Sequence, residues 1–262
     1  MASTLTESSL ARLKIDISSP VAKIALNNPP LNVIDIPMMG ELALALTESE
    51  TMPEISVIVL SGEGPVFSAG VDVAAHTPDK VEEMLLKFHT VIRAVVASKK
   101  VTVAAVRGHC LGGGAELAMV CDLVYTSATA QWGFPEIKLG CYPPVACAAL
   151  AALVGHKRAA ELVLTGQTIT GSEAETIGLA TRAVPEAELL NVVDDALREL
   201  LKLSPAALAV TKKAFYAWDA IHFDKGLAKA EKIYLEELMR TADAKEGIRA
   251  FMEKREPKWS GK

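Results

Sequence analysis

Val101-Thr102-Val103-Ala104-Ala105-Val106-Arg107-Gly108-His109-Cys110-Leu111-Gly112-Gly113-Gly114-Ala115-Glu116 carries the reading of the fold. Val101–Val106 holds no charge and no alternation of apolar with polar, which marks a strand buried on both faces in a parallel sheet with helices outside. Three glycines then feed a helix. Glycine lets a backbone approach its neighbours closely, and a helix N-terminus offers unpaired N–H groups at the positive end of its dipole. Such a turn suits a negative oxygen, phosphate or enolate. A dinucleotide GxGxxG does not fall in a usable register, and no Lys-Ser or Lys-Thr comes after it as a P-loop requires. Taken alone, the glycines serve equally well as a tight packing turn.

Working outward, Leu13–Ser18 and Val21–Leu26 alternate around Ser19-Pro20 and read as a hairpin. Asp35 and Pro37 open a helix running to about Ser49, Val57–Leu60 is a short strand, and helical periodicity covers about Asp79 to Ser98. Leu123–Tyr125 returns as a strand. Strand, loop, helix and strand in rotation predict an α/β protein. Thr170–Glu173 and the overlapping Ser172–Glu175 both fit a capping box, with Gly178 as the stop. Ser204-Pro205 starts a further helix and Asp243–Glu246 caps a last one, so the chain divides into a core over 1–204 and a helical unit over 205–262.

Bulk properties exclude several functions. A chain of 262 residues, half of them hydrophobic, can bury a large core. A net charge of -5 with scattered basic residues argues against nucleic acid; Lys212-Lys213 reads as a solvated helix face. The amino-terminal stretch lacks the basic start and apolar run of a secretion signal, and Val145–Val154 is too short to span a bilayer, so no membrane partner is expected. Cys110, Cys121, Cys141 and Cys147 form no CxxC pair and have no zinc spacing; they read as reduced core residues in a cytoplasmic or similarly reducing compartment. His76, His89, His109, His156 and His222 lack metal spacing and read as structural or exposed. Asp122 reads as a cap, and Tyr216 and Trp218 as packing residues.

Two carboxylates remain. Glu116 closes the glycine run, and Glu136 closes Gln131-Trp132-Gly133-Phe134-Pro135-Glu136. Facing one substrate, two carboxylates divide general acid from general base, because neither readily ionises beside the other's charge. A further small-residue turn, Gly64-Pro65-Val66-Phe67-Ser68-Ala69-Gly70-Val71-Asp72, can supply another backbone N–H, with Asp72 capping the next helix.

These three motifs, in this order and spacing, resemble the crotonase superfamily, the enoyl-CoA hydratases and isomerases, over nearly the whole chain. The resemblance implies a ββα spiral core with a C-terminal helical subdomain. It implies an oxyanion hole from the Val71 and Gly113 amides, catalytic carboxylates at Glu116 and Glu136, and substrate contacts from Ser68, Ala69 and Asp72. Phe251 and Lys254 would hold the adenosine diphosphate end of coenzyme A. It further implies an acyl-CoA substrate, no metal or cofactor beyond the coenzyme A of that substrate, and a homo-oligomer, trimer or dimer of trimers, whose interface would bury apolar residues between Leu227 and Met239. The expected reaction is water addition to a conjugated thioester; double-bond isomerisation and non-catalytic acyl-CoA binding are the alternatives. Pro29–Met39 and the loop Cys141-Tyr142-Pro143-Pro144 resemble hydratases acting on cyclohexa-1,5-diene-1-carbonyl-CoA, and that loop should border the acyl pocket.

Overall fold

The computed structural model describes residues 10–216 and 220–261. Residues 1–9 and Trp218, and the side chain of His222, lie outside what is described.

The strands are β1 (Leu13–Ser18), β2 (Val21–Leu26), β3 (Val57–Gly62), β4 (Val101–Val106), β5 (His109–Leu111), β6 (Leu123–Ser127), β7 (Gln131–Gly133), β8 (Thr168–Thr170) and β9 (Arg182–Val184). The helices are α1 (Ile36–Thr51), α2 (Val81–Ala97), α3 (Gly113–Met119), α4 (Pro144–Val154), α5 (His156–Thr165), α6 (Gly171–Thr176), α7 (Leu189–Leu200), α8 (Pro205–Tyr216), α9 (Ala220–Glu236) and α10 (Ala242–Met252).

Two strands followed by a helix recur as β1-β2-α1, β4-β5-α3 and β6-β7-α4. In the last two units the first strand joins a six-stranded sheet of order β1-β2-β3-β4-β6-β9, and the second joins a small sheet of order β5-β7-β8. The large sheet is parallel apart from the β1–β2 hairpin, which pairs Leu13 with Leu26. β4 is buried along its whole length, as its composition predicts. Ala104 and Val106 join the main core, while Val101, Val103 and Ala105 face the other way with Val57, Val59 and α7. On α7, Leu189, Val193 and Leu197 recur every four residues and are buried. Each such side chain taken from water contributes about 1.5–3 kcal/mol.

Local signals act as read in several places. Asp35 caps α1 by accepting from the Met38 amide, and Thr170 and Glu173 form the reciprocal capping box of α6. Ser204 accepts from the Ala207 amide at the start of α8. Others differ. α10 is capped by Thr241, which accepts from Ala244, not by Asp243. Asp243 instead accepts from Ser260 and Gly261, and Glu246 grips Arg249, Arg255 and the Lys258 amide, so both acids fasten the C-terminal tail. Asp122 caps no helix; its Oδ2 accepts from the Thr102 amide and hydroxyl and pairs with Lys212 at 2.7 Å. Lys212 is therefore buried under α8 rather than solvated. Cys147 is exposed, unlike Cys110, Cys121 and Cys141.

The C-terminal helices dock tightly. Tyr142 donates its hydroxyl proton to Ala230 O at 2.6 Å, tying the loop before α4 to α9. Gly247 on α10 approaches Leu139 so closely that a Cβ would lie 2.1 Å from its carbonyl oxygen. Leu227, Tyr234 and Met239 are buried within the chain itself, so they offer no apolar face to a partner; Val210 and Phe215 on α8 are exposed. Among the described residues, no helix is long and apolar enough to cross a membrane.

Candidate active site

The site forms where the second strands of successive units meet. Ser68 bridges to Cys110 of β5, and Ile34 bridges to Val71, so the loop after β3 continues the small sheet. That loop is held by Ser68 N to His109 O, Leu111 N to Ser68 O, Ile34 N to Gly70 O and Asp72 N to Ile34 O. Ser68 is buried; its hydroxyl donates to Asn32 O and accepts from Gly70 N. Asp72 caps the 3₁₀ turn Val73–His76 by accepting from Ala74 N. Among the described residues, the Val71 and Gly113 amides take no part in these bonds.

The glycine run now has a steric reason. A Cβ on Gly112 would lie 2.6 Å from Glu136 Oε1, on Gly113 2.5 Å from Val71 Cγ2, and on Gly114 2.7 Å from the Ser68 Cβ. Gly112 also adopts φ 51° and ψ -128°, in the half of backbone space that side chains disfavour. The start of α3 is thus pressed against the first loop and against the second carboxylate. One main-chain segment can therefore lie near both.

Glu116, in the first turn of α3, is 3 % exposed. Its Oε1 accepts from the Val145 and Ala146 amides, at 2.8 and 3.0 Å, at the N-terminus of α4. Those donors and that dipole end favour the charged form. Burial outweighs them and pushes the carboxyl up to about 7. Glu136 lies in a 3₁₀ turn, Pro135–Leu139, and its Oε2 is buried without a hydrogen-bond partner. Burial, and then the charge of Glu116, raise Glu136 well above the usual carboxylate range. Two buried acids feeling each other titrate as a pair, with Glu136 holding its proton the more tightly.

Both carboxylates line one cavity of about 430 Å³, with Ala69, Val71, Gly113 and Phe251. Ser68, Asp72 and Lys254 are not among its walls; Lys254 is exposed and has a φ of 54°. Cys141, Tyr142, Pro143 and Pro144 border the cavity, as the double-proline loop suggests. Sequence reasoning missed Phe88 and His89 on α2 and Tyr234 on α9. The buried stripe of α2 places the first two on the core face, whereas nothing local marks Tyr234. His109 and His156 are exposed, whereas His89 is buried and His76 borders the cavity. Among the described residues, no group of three His, Cys, Asp or Glu side chains is arranged to hold a metal ion.

Residues 16–262 match the family model described as enoyl-CoA hydratase/isomerase. The chain is similar to a cyclohexa-1,5-dienecarbonyl-CoA hydratase of Thauera aromatica, with 34% identity over 97% of this chain and 98% of that protein. It is 32% identical to a probable enoyl-CoA hydratase of Bacillus subtilis, over 95% of this chain and 98% of that one. A crystal structure of an enoyl-CoA hydratase from Mycobacterium avium subsp. paratuberculosis K-10 superposes with a TM-score of 0.87 at 30% identity, covering 96% of this chain and 99% of that one. The ββα arrangement is thus shared with solved relatives.

Proposed function

The chain belongs to the enoyl-CoA hydratase/isomerase family and is a hydro-lyase of the enoyl-CoA hydratase type, and from that premise we propose how its residues perform the hydration. The observation that carries the proposal is one cavity walled by two buried carboxylates and two main-chain amides left out of the loop's hydrogen bonding.

The Val71 and Gly113 amides hold the thioester oxygen and stabilise the enolate as it forms; one such donor is worth about 2.7–4 kcal/mol of transition-state energy. Glu116, the more readily ionised acid, takes a proton from water as its oxygen attacks the β-carbon. Glu136, protonated, delivers its proton to the α-carbon. The α4 amides orient Glu116 through Oε1. Ala69 lies beside the bound thioester, while Ser68 and Asp72 act by fixing the loop that presents Val71. No metal or further cofactor enters these steps, and coenzyme A arrives as part of the substrate. The relative from Thauera aromatica supports a cyclic dienoyl-CoA as the substrate to test first.

The test is a panel of acyl-CoA thioesters, crotonyl-CoA and cyclohexa-1,5-diene-1-carbonyl-CoA among them, with the mass of each product measured. Gain of one water is expected. A shifted double bond without added mass would assign isomerisation instead, and binding without turnover would assign a carrier role.

The pH dependence comes from the pair. The base works ionised, so kcat/KM should rise with pH through about 7 as Glu116 loses its proton. The acid works protonated, so the rate should fall at higher pH when Glu136 ionises. Glu116→Gln should erase the rising limb from the residual activity; a limb that persists would move the base elsewhere.

Phe251, exposed at the cavity mouth, and Lys254 are proposed to hold the adenosine diphosphate end of the substrate. Loss of one charged contact to phosphate costs about 1.5 kcal/mol, so Lys254→Ala should raise KM about tenfold with kcat kept. Segment 205–262 is proposed as the unit that covers the coenzyme and mediates assembly into a trimer or dimer of trimers. The exposed Val210 and Phe215 support it, and sedimentation would test it. We further propose a cytoplasmic location, consistent with its free thiols.

A further inference from the structure

The Val71 amide can serve a thioester oxygen only if its peptide unit is held at one angle. That unit runs from Gly70 C=O to Val71 N–H and is trans; among the described residues the cis bonds are Ser19-Pro20 and Pro29-Pro30. In a trans peptide the C=O and N–H point opposite ways. Ile34 N donates to Gly70 O at 2.9 Å, so the Val71 N–H is turned away from residue 34. The Gly113 amide is close by, since a Cβ on Gly70 would lie 3.6 Å from Gly113 N. The aim of Val71 therefore depends on how residues 31–34 are fixed against the loop after β3.

Asn32 fixes them. It is 1 % exposed, and its φ of 49° is a left-handed backbone that asparagine and glycine tolerate best. Its Nδ2 donates to Glu63 O and to Val66 O, both at 2.9 Å, and its Oδ1 accepts from Asn28 N at 3.0 Å. Two carbonyls and one amide are the partners that a carboxamide can satisfy together; a carboxylate there would bring no donor. The main chain continues the line. Asn32 N donates to Asn28 O at 2.8 Å, and Asn32 O accepts from the Ser68 hydroxyl at 2.7 Å. That hydroxyl accepts in turn from Gly70 N at 3.1 Å, at the other end of the residue whose carbonyl Ile34 holds. Asn32 itself is not among the cavity walls.

We infer that Asn32 is a positioning residue for the hydration: by locking residues 31–34 to the loop after β3, it sets the angle at which the Val71 N–H meets the thioester oxygen. This inference rests on the oxyanion role proposed above for Val71. A hydrogen bond weakens steeply as it bends, and negative charge gathers on that oxygen only in the transition state. Loss of Asn32 should accordingly lower kcat far more than it raises KM.

Asn32→Gly is the variant to make, because glycine accepts the backbone conformation and only the three side-chain bonds are lost. Sites are counted by calorimetric binding of butyryl-CoA, which cannot be hydrated. Per site, kcat on crotonyl-CoA should fall by about 10- to 10²-fold with KM little changed. Infrared spectra of bound butyryl-CoA, carrying ¹³C at its thioester carbonyl, read the contact directly. Binding to wild type should lower the carbonyl stretch, and about half of that shift, one donor's share of two, should vanish in Asn32→Gly. Ser68→Ala cuts the same line next to Gly70 and should show the same loss; it decides the matter if Asn32→Gly does not fold. A full carbonyl shift, an unchanged kcat per site, or loss of butyryl-CoA binding altogether would overturn the inference and leave Asn32 a purely structural residue, whatever the change in melting temperature. Absence of binding or of any carbonyl shift in wild type would instead remove the oxyanion reading on which it rests.

Discussion

Glu116→Gln and Glu136→Gln should each lower kcat by about 10²- to 10⁴-fold, the range in which positioned general acids and bases contribute. Each is near-isosteric. In Glu116→Gln the amide oxygen can still accept from Val145 and Ala146, so the start of α4 stays anchored and the fold survives. In Glu136→Gln no hydrogen bond to Oε2 is lost, because that oxygen has no partner among the described residues. The double variant should fall little further than the worse single one, since groups acting in one step are not additive. Circular dichroism with steady-state hydration rates decides the matter. Near-normal turnover in both well-folded single variants would defeat the acid–base assignment.

The second large effect should come from a single methyl. Gly112→Ala places a Cβ 2.6 Å from Glu136 Oε1, and the backbone there has φ 51°. Strain of about 1–3 kcal/mol is expected from the backbone alone. The flexible carboxyl can swing away, so the protein should fold but hold its proposed acid out of place. Misplacement by about 1 Å costs on the order of 10²-fold in rate. Gly155→Ala is the control: it has φ 78° and open space where the Cβ would go. It should share the modest loss of thermal stability and keep its turnover. If both variants lose activity alike, crowding of Glu136 is not the cause.

Much of the scaffold was legible because its causes are local or periodic. β4 shows no alternation because helices cover both of its faces, and Asp35, Thr170 and Ser204 cap helices within four residues of themselves. Asp243 misled because Asp-x-x-Glu is a capping signal by spacing alone; Thr241 was nearer the helix start, and the tail claimed both acids. Lys212 read as solvated since its partner Asp122 is far away in the chain. Of the candidate site, the motifs pointed to Glu116, Glu136, Val71 and Gly113, all of which border one cavity. Tyr234 and His89 left no comparable trace, for a helix stripe does not say which neighbour it will face.

The order of residues was enough to specify the elements, their caps, the small residues that close approach demands, and which acids were available, because each depends on neighbours within a turn or two. Folding in three dimensions was needed to bring Gly112 against Glu136, to present the α4 amides to Glu116, and to lift both carboxyls by burial. Proton affinity depends on water excluded by every surrounding element at once, and no single segment carries that information.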